Sequence, residues 1–97
     1  MADADVVEIA RAPLRRRCRV AGRIRATRIR PSVQTPVFEI VVDDGSGRMV
    51  GAFWGRRSIP GIEPGRSIEI EGTPRVHDGE LVMANPLYTL RSEPYQP

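Results

Sequence analysis

The sequence predicts an all-β domain, and three observations carry that prediction. Arg15, Arg17, Arg19, Arg23 and Arg25 share one parity, while Cys18, Val20, Gly22, Ile24 and Ala26 hold the other; this is the period of a strand and not of a helix. Nine glycines and nine prolines are spread along the chain, where they read as turn punctuation between short strands. Asp43-Asp44-Gly45-Ser46-Gly47 separates two apolar runs, and Asp-Gly in that setting favours a tight hairpin with positive φ at glycine. With 97 residues the chain makes one small domain around a single modest core.

The elements follow in order. Residues 1–13 lack a sustained period and are expected to form a flexible arm, in which Val6, Val7 and Ile9 can add a partial strand or turn. The domain proper is expected over residues 14–91, and residues 92–97 form a tail. Strand one covers residues 14–29. Its parity slips over residues 26–28, because Ile29 is apolar where the alternation points outward, and a bulge or sharp coil there accounts for it. Gly22 lets the same strand bend in its middle. After a loop over residues 31–36, strand two (37–42) and strand three (48–54) form the hairpin. Residues 55–66 are too broken by glycine and proline for a long helix but suit one short helical turn. Ile68-Glu69-Ile70-Glu71 opens strand four, which continues towards Val76; His77-Asp78-Gly79 turns the chain into strand five (80–90), and Asn85-Pro86 marks an irregularity in it.

All fifteen basic residues are arginine, and nine of them fall within residues 11–30 with no acid among them. Residues 1–10 hold three acids and no base, and residues 31–97 hold six arginines against nine acids. The positive field is therefore local, as suits a docking face for a polyanion, with nucleic acid the leading candidate. The single cysteine, Cys18, excludes an internal disulfide and a multi-cysteine zinc site. No apolar run approaches the roughly 20 residues needed to cross a bilayer. The acidic opening residues do not resemble a signal peptide, so a cytoplasmic protein with no membrane partner is expected. No serine, histidine and carboxylate set, phosphate-binding glycine loop or metal cluster is evident, so neither catalysis nor a cofactor is expected.

Several strings carry a family resemblance. Val20-Ala21-Gly22-Arg23-Ile24 resembles the valine-x-glycine-x-valine opening of OB-fold domains, and residues 42–47 resemble their Asp-Gly-Thr-Gly hairpin. Residues 64–72 are similar to the lead into their fourth strand, and Leu81-Val82-Met83-Ala84-Asn85-Pro86 to the fifth strand of wedge domains in RecG-type helicases. In order and spacing the strings most resemble small stand-alone actinobacterial OB-fold nucleic-acid-binding proteins, and anticodon-binding OB domains are similar. The resemblance implies a five-stranded Greek-key barrel that binds nucleic acid across strands two and three. It puts Glu39, Val41, Val50, Ala52 and Trp54 on that face, flanked by Arg23, Arg25 and Arg28 of strand one, Gln34 of the first loop and His77 of the second. Glu39 departs from the pattern, since an aromatic often stands near its position and a carboxylate repels phosphate.

Each candidate also has a plainer reading. Trp54 is a stacking platform or a plug at the barrel end. Arg56 and Arg57 clamp a backbone beside it or are simply solvated. His77 lacks a second ligand at metal spacing and reads as a turn residue. Cys18 reads as a small buried hydrophobe, and Asp43 and Asp44 as turn formers rather than a metal pair. Glu69 and Glu71 lie on a strand expected beside strand one, where they can neutralise Arg15, Arg17 and Arg19; Arg23, Arg25 and Arg28 are then the better ligand candidates. Two functions remain: a module for single-stranded DNA or RNA or branched junctions, and a protein-interaction or self-assembly module, including a homodimer, that covers the same face.

Overall fold

The computed structural model describes residues 5–31 and 34–92. Among the described residues seven strands form one mixed sheet: β1 (Cys18–Arg30), β2 (Val37–Asp43), β3 (Arg48–Trp54), β4 (Ser67–Gly72), β5 (Pro74–His77), β6 (Glu80–Ala84) and β7 (Leu87–Arg91). Their order is β5-β6-β3-β2-β1-β4-β7. β3 and β6 pair in parallel, and the other strand pairings are antiparallel.

The count of five strands is corrected to seven, and the reason is local. The fourth expected strand is interrupted at Thr73, between β4 and β5, and the fifth at Asn85-Pro86, between β6 and β7. Because β4 pairs with β7 and β5 with β6, the four segments make one long interrupted hairpin. Its first half lies against β1 and its second half against β3, which curls the sheet back on itself as a Greek-key barrel requires.

Alternation sorts the side chains. Val20, Ile24, Phe38, Ile40, Val42, Met49, Ile68, Ile70 and Met83 face inward as one core. In β1 the register shifts between Ile24 and Ala26, so the extra residue is Arg25, just ahead of the expected slip at 26–28. After it Arg28 and Arg30 share the outward parity with Ala26, while Ile29 lies opposite Phe38. Gly22 meets a different demand: a Cβ there would lie 2.6 Å from the Asp43 carbonyl oxygen, so only glycine permits this close crossing of β1 and β2.

The expected short helical turn is found elsewhere. It is a 3-10 turn at Ile9–Arg11, while residues 55–66 make non-helical turns that insert Ile59 and Ile62 into the core. Of the expected arm, residues 5–13 lie against the barrel, and residues 1–4 are outside the described residues, as are 93–97 of the tail. Val6 bridges to Arg19, and Ile9 is 1% exposed within the core. The Asp44 carboxylate pins this segment: one oxygen accepts the Ile9 N–H at 2.9 Å, the other the Ser46 N–H at 2.8 Å and the Gly47 N–H at 3.2 Å. Burial pushes the Asp44 carboxyl up, but these N–H groups and the Ser46 hydroxyl together outweigh it and hold it below the ordinary range. No helix is long and apolar enough to cross a membrane among the described residues.

Candidate nucleic-acid interface

An open groove of about 710 Å³ crosses the outer face of the sheet from β5 to β2. Its floor is low because Ala52 of β3 lies opposite Ala84 of β6. Trp54 ends β3 on the same parity and stands 56% exposed on the rim, with Asn85 and Leu87 beside it. Phe53 takes the opposite parity and turns inward, meeting Tyr88 edge-on with ring centroids 5.8 Å apart. Trp54 is therefore a rim residue and not a barrel plug.

The walls are charged. Arg75 and His77 of β5 line one side, Arg30 and Glu39 the other, with Glu80 and the Arg17–Glu71 pair completing it. Glu39, only 7% exposed, accepts from Arg28 Nε at 2.7 Å and from Arg30 Nε at 2.9 Å. Arg28 also reaches Glu80 at 2.9 Å. This arch spans from β1 across β2 and β3 to β6, and it covers apolar floor: Val50 and Ala52 are buried yet lie outside the inward core. Burial pushes Glu39 up, but the hydrogen bonds from Arg30 and Arg28 outweigh that and lower it overall. Its carboxylate is thereby neutralised within the molecule.

The expected site residues fall into separate groups. Trp54 and His77 line the groove; His77 is largely exposed beside Asp78 in a turn where Asp78 and Gly79 both have positive φ. Arg28 is committed to Glu39 and Glu80. Arg23 lies opposite Asp43 in the register, and Arg25 is 4.0 Å from the Asp43 carboxylate. Trp54 lies opposite Val37, at the other end of β2, so the structure does not bring Arg23 and Arg25 to the groove. Gln34, Arg56 and Arg57 are exposed in the two loops joined by the Gly55 N–H donating to the Pro36 carbonyl.

Sequence reasoning missed Arg17, Arg30, Arg75 and Asn85. Arg17 does pair with Glu71, at 2.8 Å, and Arg19 with Glu71 and Glu69, at 3.3 and 3.9 Å. The hydrogen bond from Arg17 lowers the Glu71 carboxyl. Yet Arg17 still lines the groove, because the long hairpin folds Thr73 and Leu87 towards Trp54. The bulge was the available signal for Arg30, since it turns the even parity of β1 outward and so carries Arg30 together with Arg28 onto the outer face. Arg15, Arg16, Arg56, Arg57 and Arg75 are exposed and make no ion pair among the described residues. The Arg15 N–H donates to the Pro74 carbonyl, which sets Arg15 beside the strand carrying Arg75; Arg56 and Arg57 follow Trp54 closely.

No family model and no curated protein matches this chain. Among solved structures, it is similar to the solution NMR structure of the replication factor A related protein from Methanobacterium thermoautotrophicum. The TM-score is 0.66 at 14% identity, over 91% of this chain and 92% of that one. The likeness shows a shared OB-like fold.

Proposed function

We propose that the chain is a nucleic-acid-binding module that takes single-stranded or branched DNA or RNA into the groove over β2 and β3. The observation that carries this reading is Trp54, more than half exposed on the rim of an open groove with arginines on its walls. A base stacked on such a ring is stabilised by roughly 1–3 kcal/mol. The carboxylates of the groove are satisfied internally, while Arg15, Arg16, Arg75, Arg56 and Arg57 stay available for phosphates. The fold shared with a replication factor A related protein is compatible with this use of the face. Binding is weak, tolerant of sequence apart from the base laid on Trp54, and salt-dependent, because each neutralised phosphate releases condensed counterion.

Fluorescence anisotropy with labelled single-stranded, duplex and forked oligonucleotides across a salt series tests the proposal. Single-stranded and forked forms bind best, Trp54→Ala weakens them about tenfold, and no binding near ~20 mM salt would overturn the reading. The exposed apolar side chains of Leu87 and Val76 favour a protein partner as the second reading. Light scattering separates the two, since a dimer that buries Trp54 forms without nucleic acid.

A further inference from the structure

We propose that Asn85 selects the base that stacks on Trp54, favouring thymine or uracil over adenine. This deepens the nucleic-acid reading and rests on it. Asn85 interrupts the strand between β6 and β7 with φ +47, a left-handed conformation that asparagine tolerates better than most residues. Two bonds hold it there. Its own N–H donates to the Ala52 carbonyl at 2.6 Å, and its Oδ1 accepts the Trp54 backbone N–H at 3.0 Å. A backbone N–H can only donate, so the amide must turn its oxygen towards Trp54; chemistry fixes which way the group faces.

The consequence lies at the other end of the amide. The Nδ2 group is directed away from the Trp54 backbone, in an exposed residue that lines the groove, and has no hydrogen-bond partner among the described residues. A base on the Trp54 ring therefore meets N–H donors from Asn85, whose acceptor is already engaged. Thymine and uracil carry carbonyl oxygens on both sides of N3, so either stacked orientation offers an acceptor. Adenine offers ring nitrogens in place of carbonyls, and beside both N1 and N7 its amino group would oppose the second donor of the amide.

The test is anisotropy with labelled oligo-dT and oligo-dA of about 12 nucleotides, within the usual footprint of such folds. The unmodified chain binds oligo-dT about five- to tenfold more tightly, the worth of one hydrogen bond. Asn85→Gly keeps the positive φ, removes the amide and brings the ratio to near one. Asn85→Asp keeps the acceptor for Trp54, replaces the donor by an acceptor and reverses the ratio towards oligo-dA, whatever its carboxylate does to overall affinity. Thermal melts of both variants confirm that the fold persists. Self-stacking of oligo-dA also disfavours its binding, but that effect survives the substitutions; a ratio unchanged in Asn85→Gly would overturn the role of Asn85 and leave the nucleic-acid reading intact. No binding of either oligomer by the unmodified chain would overturn both.

Discussion

The two halves of β1 carry similar charge and treat it differently. Before the bulge at Arg25, Arg19 and the adjoining Arg17 pair with Glu71 on the neighbouring β4, strand against strand. After it, Arg28 and Arg30 reach over the sheet to Glu39 and Glu80 and roof part of the groove. The first half sets two guanidiniums on one carboxylate of the adjacent strand, Arg17 in an exposed pair and Arg19 in a part-buried one. The second half closes a partly buried network in which loss of one member strands the others. A run of arginines in sequence is thus not a field in space: one extra residue in a strand decides which carboxylates each guanidinium meets.

The largest perturbation of this contrast is Gly22→Ala, which strikes where the first half crosses β2. A Cβ 2.6 Å from the Asp43 carbonyl must push backbone, and a loss of about 2–4 kcal/mol in denaturant unfolding is expected. Next comes Glu39→Gln, which frees Arg28 and Arg30 from their shared carboxylate. Stability falls by about 1–2 kcal/mol, while affinity for single-stranded DNA rises and its salt dependence steepens; an unchanged slope would mean that the arch does not mask the two guanidiniums.

Substituting arginines in pairs sharpens the comparison further. Arg56→Ala with Arg75→Ala should lower the slope of log affinity against log salt by about 1.4, at ~0.7 per phosphate contact. Arg23→Ala with Arg25→Ala, away from the groove and facing Asp43, should lower it by less than half of that. Equal slopes would restore the expectation, drawn from neutralisation of Arg15, Arg17 and Arg19 by Glu69 and Glu71, that favoured Arg23 and Arg25.

Acid is the gentlest probe. Glu39 and Asp44 both have carboxyls lowered in the folded state, so the stability they contribute is complete above the ordinary carboxylate range, ~4, and is lost as pH falls through their folded values. The melting temperature should be flat from about pH 7 to about pH 5 and fall below about pH 4. Glu39→Gln should remove part of that fall and leave the part due to Asp44.

The hairpin of β2 and β3 was legible because alternation and an Asp-Gly turn both report on neighbours in sequence. The bulge was legible as a phase change, since Ile29 reveals that a slip has occurred without marking which residue was inserted. The short turn at Ile9–Arg11 was legible only as a partial strand or turn in the leading residues, whereas residues 55–66 carry turn chemistry that serves Ile59 and Ile62 rather than the helical turn expected there. Other features depend on closure. Glu80 meets Arg28 across β2 and β3, and Arg17 reaches the groove only because the long hairpin doubles back. Neither contact has a local signature, and both decide what the candidate site contains.

Trp54 is the only tryptophan in the chain, and its side chain is already more than half in solvent when the protein is folded. Its emission is therefore a natural reporter of occupancy: unfolding changes its surroundings little, whereas a base laid on the indole quenches it. The molecule carries its own spectroscopic label at the point where a ligand would first be felt, and a titration needs no dye.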